Sequence, residues 1–244
     1  WSAVNGKFEV DLKRVAYGKE IITGLRGAAV ITDTRLALDN LDGRMQENAF
    51  KLNAGITFAA NQPKPYSLTG AADVAGFDVG EFLRAASPNE KPMLETKVKV
   101  TAKLNGTGAT VAELAERTYG VFDVSGGKGV LRALGRKGEA VGAVSSVLGL
   151  AGAITGSGNT VALGRLGQEL EVMQFDSFSM HIERDAALNM KFTNIEFLSP
   201  NKRLSGAGTM NYVKDAPLNS WPFQFEFKLA GRDFMAQLLN EVRV

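Results

Sequence analysis

Two stretches with the same pattern decide the fold: Tyr66–Asp78 reads YSLTGAADVAGFD, and Trp221–Asp233 reads WPFQFEFKLAGRD. Each alternates apolar and other residues, reaches Ala-Gly-x-Asp, and leads into a short amphipathic segment, at Val79–Arg84 and at Phe234–Asn240. Alternation with a period of two is typical of a strand with one apolar and one wet face. The doubled strand–helix unit predicts a repeat-built sheet protein rather than an enzyme assembled around a catalytic cleft.

Strand patterns recur along the chain. Phe8, Val10 and Leu12 alternate with charged residues, and similar alternation follows in six more stretches. These are Leu36/Leu38, Ile56/Phe58, Val98/Val100/Ala102/Leu104, Phe178/Met180/Ile182, Leu188/Met190/Phe192 and Phe223/Phe225/Phe227. Turn signals separate them at Asp42-Gly43, Asn61–Pro63, Asn105-Gly106, Gly126-Gly127 and Ser199–Asn201. Many short strands with regular turn signals predict antiparallel meanders.

Helix starts are marked by capping residues. Asp78 with Glu81, and Thr110 with Glu113, fit the N-cap-x-x-Glu arrangement, in which side chains satisfy free backbone N–H groups. Asp233 occupies the equivalent position in the second copy, without the matching acid. We expect each short helix to fold over an end of the sheet and cover apolar surface or a strand edge.

A helical insert is expected near residues 135–175. No charged residue occurs between Ala140 and Gly164, and Ala140–Ile154 has the small and aliphatic composition of a buried helix. At about 1.5 Å per residue this helix would reach roughly 22 Å. A bilayer core needs about 30 Å, so the length favours a helix packed on a sheet over a membrane span. A second helix is predicted over Thr160–Gln174.

Composition and motifs point away from catalysis. The chain has 28 Lys and Arg against 26 Asp and Glu, no cysteine, and one histidine, His181, on the polar phase of a strand. Near-balanced charge without a basic run argues against nucleic acid as a partner. Gly126-Gly127-Lys128 lacks the remaining residues of a phosphate-binding loop and is interpreted as a hairpin turn. We therefore predict a protein that is not an enzyme and that has no metal site and no cofactor.

The apolar stripes have two interpretations. They form the inner face of a fully packed sheet, or they line a curved sheet that is only partly covered and holds acyl chains in an apolar groove. Ten residues are the candidates for lipid contact: Phe178, Met180, Ile182, Leu188, Met190, Phe192, Trp221, Phe223, Phe225 and Phe227.

The order of features resembles the AsmA family, especially its C-terminal region. The resemblance covers most of residues 66–244. It is carried in order by Leu104–Leu114, Tyr119–Val124, Gly129–Leu134, the Gly/Ala-rich insert, Phe175–Phe178, Phe192–Phe197, Leu204–Thr209 and the closing Ala-Gly-x-Asp helix. The specificity lies in this order, since no single motif is diagnostic. Residues 1–90 form an N-terminal β-repeat segment ending in a helix, and 91–244 form the AsmA-like region; one continuous domain is also compatible.

The resemblance implies a non-enzymatic protein of the Gram-negative cell envelope. Such proteins lie in the periplasm, are anchored in the inner membrane by an N-terminal helix, and are related to bridge-like lipid transfer proteins. They transport phospholipid or support outer membrane assembly, so the implied partners are phospholipid or another acyl lipid and envelope proteins. The chain begins at Trp1, and we expect it to be a fragment. The alternative is a structural or assembly module with a self-packed core that binds a protein by a sheet edge.

Overall fold

The computed structural model describes residues 5–17, 20–45, 48–86, 91–132, 165, 168–216 and 220–243. It is a mainly antiparallel, open sheet of twelve strands with short helices, as the sequence predicts. The strands are β1 (Gly6–Tyr17), β2 (Glu20–Ile31), β3 (Arg35–Met45), β4 (Asn48–Phe58), β5 (Tyr66–Asp78), β6 (Leu94–Gly108), β7 (Tyr119–Leu131), β8 (Met173–Phe175), β9 (Ser177–Arg184), β10 (Met190–Leu198), β11 (Lys202–Met210) and β12 (Phe223–Gly231). Their spatial order follows the chain, except that β8 lies beside the path and pairs with β7.

The doubled strand–helix unit is confirmed. Strand β5 runs directly into α1 (Val79–Ala86), and β12 is followed by α3 (Phe234–Arg243). The Asp78 carboxylate accepts a hydrogen bond from the amide of Glu81 at 2.9 Å, which is the expected N-cap contact. In α3 the amides of Met235 and Ala236 bond instead to the carbonyl of Arg232.

Helix α2 (Val111–Glu116) follows β6 and has the predicted capping box. The amide of Glu113 donates to the Thr110 hydroxyl at 3.0 Å, and the Glu113 carboxylate accepts from the amide of Ala109 at 2.9 Å. Glu113 also pairs with Arg117 at 3.0 Å. The helix places Leu114, which is 2 % exposed, over the glycines at the end of β6.

Three of the predicted turns are wrong. Asp42-Gly43, Asn105-Gly106 and Gly126-Gly127 lie inside β3, β6 and β7. Their glycines mark close approaches of a neighbouring strand or helix: a Cβ on Gly43 would lie 3.0 Å from the Phe50 ring of β4, and one on Gly106 would lie 3.2 Å from Leu114 Cδ1 of α2. Glycine in a strand often marks such an approach of neighbouring atoms, and here that function outweighs its preference for turns. The turns at Asn61–Pro63 and Ser199–Asn201 are confirmed.

Two further predictions need correction. The predicted helix over Thr160–Gln174 is helical at residues 168–171, but strand β8 begins at Met173, where it pairs with Leu131 of β7. Leu188 belongs to the turn before β10 rather than to a strand, and has a left-handed φ of 71°. The insert helix predicted at Ala140–Ile154 lies outside the described residues. Among the helices that the structure describes, none is long and apolar enough to span a bilayer.

The chain forms two compact units. The first comprises Trp1–Phe77, Lys99–Asp123 and Ile182–Met190, and the second comprises Asp78–Val98, Val124–His181 and Lys191–Val244. Among the described residues, the buried apolar side chains of the second unit include four phenylalanines from β8, β9 and β10. In the first unit, most apolar side chains of the sheet are only half-buried. The predicted division at residue 90 stays a prediction.

Candidate functional site

The aromatic row of β12 lies over glycines of the neighbouring strand. Register places Phe227 opposite Gly206 and Phe225 opposite Gly208 in the β11–β12 pair. A Cβ on either glycine would collide with the ring that faces it. Because Gly206 and Gly208 have no side chains, the rings of Phe227 and Phe225 can lie over the backbone of β11.

In this position the ring of Phe225 contacts Phe192, which lies two strands away on β10. Its ring centroid is 5.0 Å from that of Phe192 on β10, although β10 and β12 are separated by β11. Two strand spacings amount to about 9.6 Å, so both rings must project over β11 to meet. Phe225 also stacks on Phe227 at 6.2 Å and contacts Phe223 at 6.0 Å. The four rings form one continuous surface, here called the aromatic row.

The four rings of the aromatic row differ in exposure. Phe192 is 9 % exposed, Phe225 and Phe227 are half-buried, and Phe223 is 54 % exposed. Phe225 contacts the other three rings, so the buried Phe192 lies beside the middle of the row and the exposed Phe223 lies at one end. An aromatic surface that is open at one end has the form of a surface onto which an apolar ligand can extend.

A second aromatic cluster is sealed. Phe175, Phe178 and Phe197 are 3–5 % exposed, and the rings of Phe178 and Phe197 stack at 4.7 Å. Phe175 meets Phe197 edge-on at 5.2 Å. Phe178, one of the candidates for lipid contact, is therefore occupied by contacts with the protein's own core.

Trp221 lies just before β12 and contacts residues that follow β11. Its Nε1 donates to the carbonyl of Ala216 at 3.0 Å, and its ring meets Tyr212 edge-on at 5.0 Å. The residue is 9 % exposed. These contacts satisfy the indole N–H and hold the start of β12 in place, which gives Trp221 a structural function beside the aromatic row.

The remaining candidates are divided between the two units. Met180 on β9 is half-buried and belongs to the second unit, whereas Ile182, Leu188 and Met190 belong to the first. Leu188 is 4 % exposed, and its amide donates to the carbonyl of Asp185 at 2.9 Å in the β9–β10 turn. The structure thus joins only part of the predicted contact residues into one surface.

The first unit has an apolar surface that the sequence-based candidates do not include. Register aligns one apolar or small residue from each of β1 to β5: Phe8, Ala29, Leu38, Ala54 and Gly70. A neighbouring row on that face contains Ile31, Leu36, Ile56 and Leu68. Phe8 is 47 % exposed, and the other residues of both rows are half-buried. We call this surface the apolar face of the first unit. Alternation indicated β1, β3, β4 and β5 but not β2, and only register shows that the rows align.

The opposite face of the same strands carries a line of charged residues, beside apolar positions such as Val30 and Ala37. One charged residue from each of β1 to β5 lies opposite the next: Asp11, Arg26, Asp42, Lys51 and Asp73. Signs alternate along this charge ladder, and Arg26 Nε lies 3.6 Å from Asp11 Oδ1. Thr101 extends it by donating to Asp73 at 3.0 Å. Opposite charges on facing residues stabilise a register, and like charges disfavour it.

A concavity of about 650 Å³ lies beside the charge ladder. Arg44 and Lys99 line it together with ladder residues, so both signs of charge surround it and it does not suit an acyl chain. His181 is half-buried in β9. Among the described residues, no group of three His, Asp or Glu side chains is placed to hold a metal ion.

Comparison with known proteins does not extend these observations. No family model, no curated protein and no solved structure matches this chain. The resemblance to the AsmA family therefore stays a prediction from the order of sequence features.

Proposed function

We propose that the chain holds acyl chains of lipids on the apolar side of its sheet and that it acts in the cell envelope without catalysing a reaction. One observation carries the proposal. On the first unit, successive strands align apolar side chains into continuous rows that stay half-buried, while the other face of those strands carries the charge ladder.

The physical reason is the free energy of exposed apolar area. A fully packed sheet would cover such rows, whereas Phe8 and Leu12 each remain 47 % exposed. Transferring apolar surface from water to an apolar contact contributes about 25 cal/mol per Å². An acyl chain lying along the rows gains this free energy on both surfaces, without a specific polar contact. The charged face keeps the sheet in contact with water.

The aromatic row supplies the same chemistry in the second unit. Phe223 offers a half-exposed ring, and the stacked rings of Phe225 and Phe227 continue from it. Large rings give wide contact area with few rotatable bonds, which suits flexible hydrocarbon chains. The AsmA resemblance supports phospholipid as the ligand, the periplasm as the location, and an inner-membrane anchor in the full-length protein.

Lipid extraction tests the proposal. The purified chain is extracted with organic solvent, its lipids are quantified by mass spectrometry, and a delipidated sample is then incubated with phosphatidylethanolamine vesicles and extracted again. We expect phospholipid in the first extract and renewed uptake in the second. A chain that carries no lipid and takes up none from vesicles contradicts the proposal.

A second candidate is an assembly module that binds a protein through a sheet edge. The sealed cluster of Phe175, Phe178 and Phe197 favours it, because that part of the sheet is completed by the protein's own side chains. Absence of lipid uptake, together with unfolding when a charge is placed in the aromatic row, would favour this candidate over the lipid-binding one.

A further inference from the structure

The edge of β12 has the features of a strand-pairing site. β12 ends the strand order, and within the described residues it pairs only with β11. Its second backbone edge therefore offers N–H and C=O groups to another strand. Charged side chains on such an edge disfavour pairing unless opposite charges meet them.

The charges of β12 are not matched across the strand pair. Glu226 and Lys228 are exposed on the wet face, and the residues directly opposite them on β11 are Ala207 and Ser205. This differs from the charge ladder of the first unit, where each charged residue faces one of opposite sign. A strand that brings an acid opposite Lys228 and a base opposite Glu226 would complete the same arrangement at this edge.

We propose that β12 of a second copy of the chain supplies these charges. In an antiparallel pair with a twofold axis through Phe227, residues 223–231 of one copy align with 231–223 of the other. Glu226 then faces Lys228 of the second copy, and the same contact occurs again across the axis. A twofold interface of this kind uses one surface patch twice.

The apolar side of the strand fits the same register. Phe227 meets its equivalent, Phe225 faces Leu229 of the second copy, and Phe223 faces Gly231. Phe223 is 54 % exposed in the single chain, so its ring has free surface for this contact. The aromatic faces of the two copies then lie on the same side of the joined sheet, and the two aromatic rows form one continuous surface.

Neighbouring registers are excluded by charge. Sliding one strand by two residues places Glu226 opposite Glu226 in one direction and Lys228 opposite Lys228 in the other. A slip by one residue would bring an apolar side chain opposite a polar one. The sequence of β12 therefore selects one self-pairing register.

Sedimentation equilibrium over a concentration series tests the pairing. The chain is expected to form a dimer, and Glu226→Lys or Lys228→Glu alone should raise the dissociation constant roughly tenfold, because each change creates two repulsive contacts. The double exchange Glu226→Lys/Lys228→Glu should restore the dimer. Lys97→Glu, an exposed change on β6, is the matched control. Urea unfolding verifies that each variant folds.

Cross-linking provides a second measurement. The chain has no cysteine, so Phe227→Cys introduces a single thiol on the proposed axis. A short bismaleimide should convert this variant to covalent dimers and should leave Lys97→Cys without a cross-link. A chain that is monomeric at all concentrations, or a double exchange that dissociates as readily as the single variants, overturns the proposal. Because mass is measured, neither result depends on lipid binding.

Discussion

The ring of Phe225 fills the space above Gly208 that the Cβ of any other residue would occupy. Phe227 and Gly206 have the same relationship two pairs further along, on the same face. Because the glycine has no side chain, Phe225 reaches Phe192 across β11 at 5.0 Å. The aromatic row on one strand is thus determined by small residues on another.

Gly208→Ala should destabilise the fold by about 1–3 kcal/mol, because the methyl group displaces a packed ring. Urea unfolding measures the loss, and near-UV circular dichroism should show altered ring packing. Gly127→Ala is the control, because Gly127 also lies inside a strand but its Cβ would have no neighbour within 4 Å. That variant should be unchanged or slightly more stable. Equal losses in the two variants would mean that the glycine–ring contact has no special weight.

Phe225→Glu should leave the fold intact and reduce phospholipid uptake, because the ring is half-buried and the carboxylate can stay hydrated. Phe178→Glu should unfold the protein, since a charge in a site that is 4 % exposed costs several kcal/mol. Thermal unfolding by circular dichroism and lipid mass spectrometry separate the two effects. Unfolding of both variants would assign the aromatic row to a self-packed core.

Lys51→Glu should destabilise the first unit by about 1–2 kcal/mol, because the new carboxylate lies between Asp42 and Asp73. Salt should reduce this loss, since exposed charges are screened. Urea midpoints at low and high NaCl concentration test both expectations. Lys7→Glu is the control, because Lys7 faces the neutral Val30. A loss that does not respond to salt would point to packing rather than charge.

Thr110→Ala should destabilise the fold by about 1 kcal/mol, because the hydroxyl satisfies the amide of Glu113 at the start of α2. Thr110→Ser retains the hydroxyl and should keep most of the stability. Hydrogen exchange should be faster at the Glu113 amide in the alanine variant only. Equal exchange in both variants would show that the cap is not required.

Local patterns predicted much of the fold. Alternation located most strands, and the capping residues Asp78 and Thr110 located two helix starts. Glycine was misleading at Gly43, Gly106 and Gly126, because a glycine that lies against atoms of a neighbouring strand or helix has the same local sequence as a glycine in a turn. Only the neighbouring element distinguishes the two cases.

The candidate site was harder to predict because it depends on register. Asn194 has a left-handed φ of 51°, which asparagine tolerates, and burial passes from the even-numbered Phe192 to the odd-numbered Ile195 and Phe197. A strict period of two does not foresee this change of phase. In the first unit, alternation identified β1, β3, β4 and β5 but not β2, and the alignment of Leu38 with Ala54 is a property of strand pairs.

Because neighbouring strands in the sheet are also neighbours in the chain, the number of strands can change through duplication of a short stretch of sequence. Each strand from β1 to β5 is paired by its neighbours in the sequence. Duplicating one hairpin in the gene would therefore insert two strands without separating any other pair from its partners, as in repeat proteins. Each duplication would widen the sheet by about 10 Å. The width of the apolar face of the first unit is thus a quantity that can grow in discrete steps.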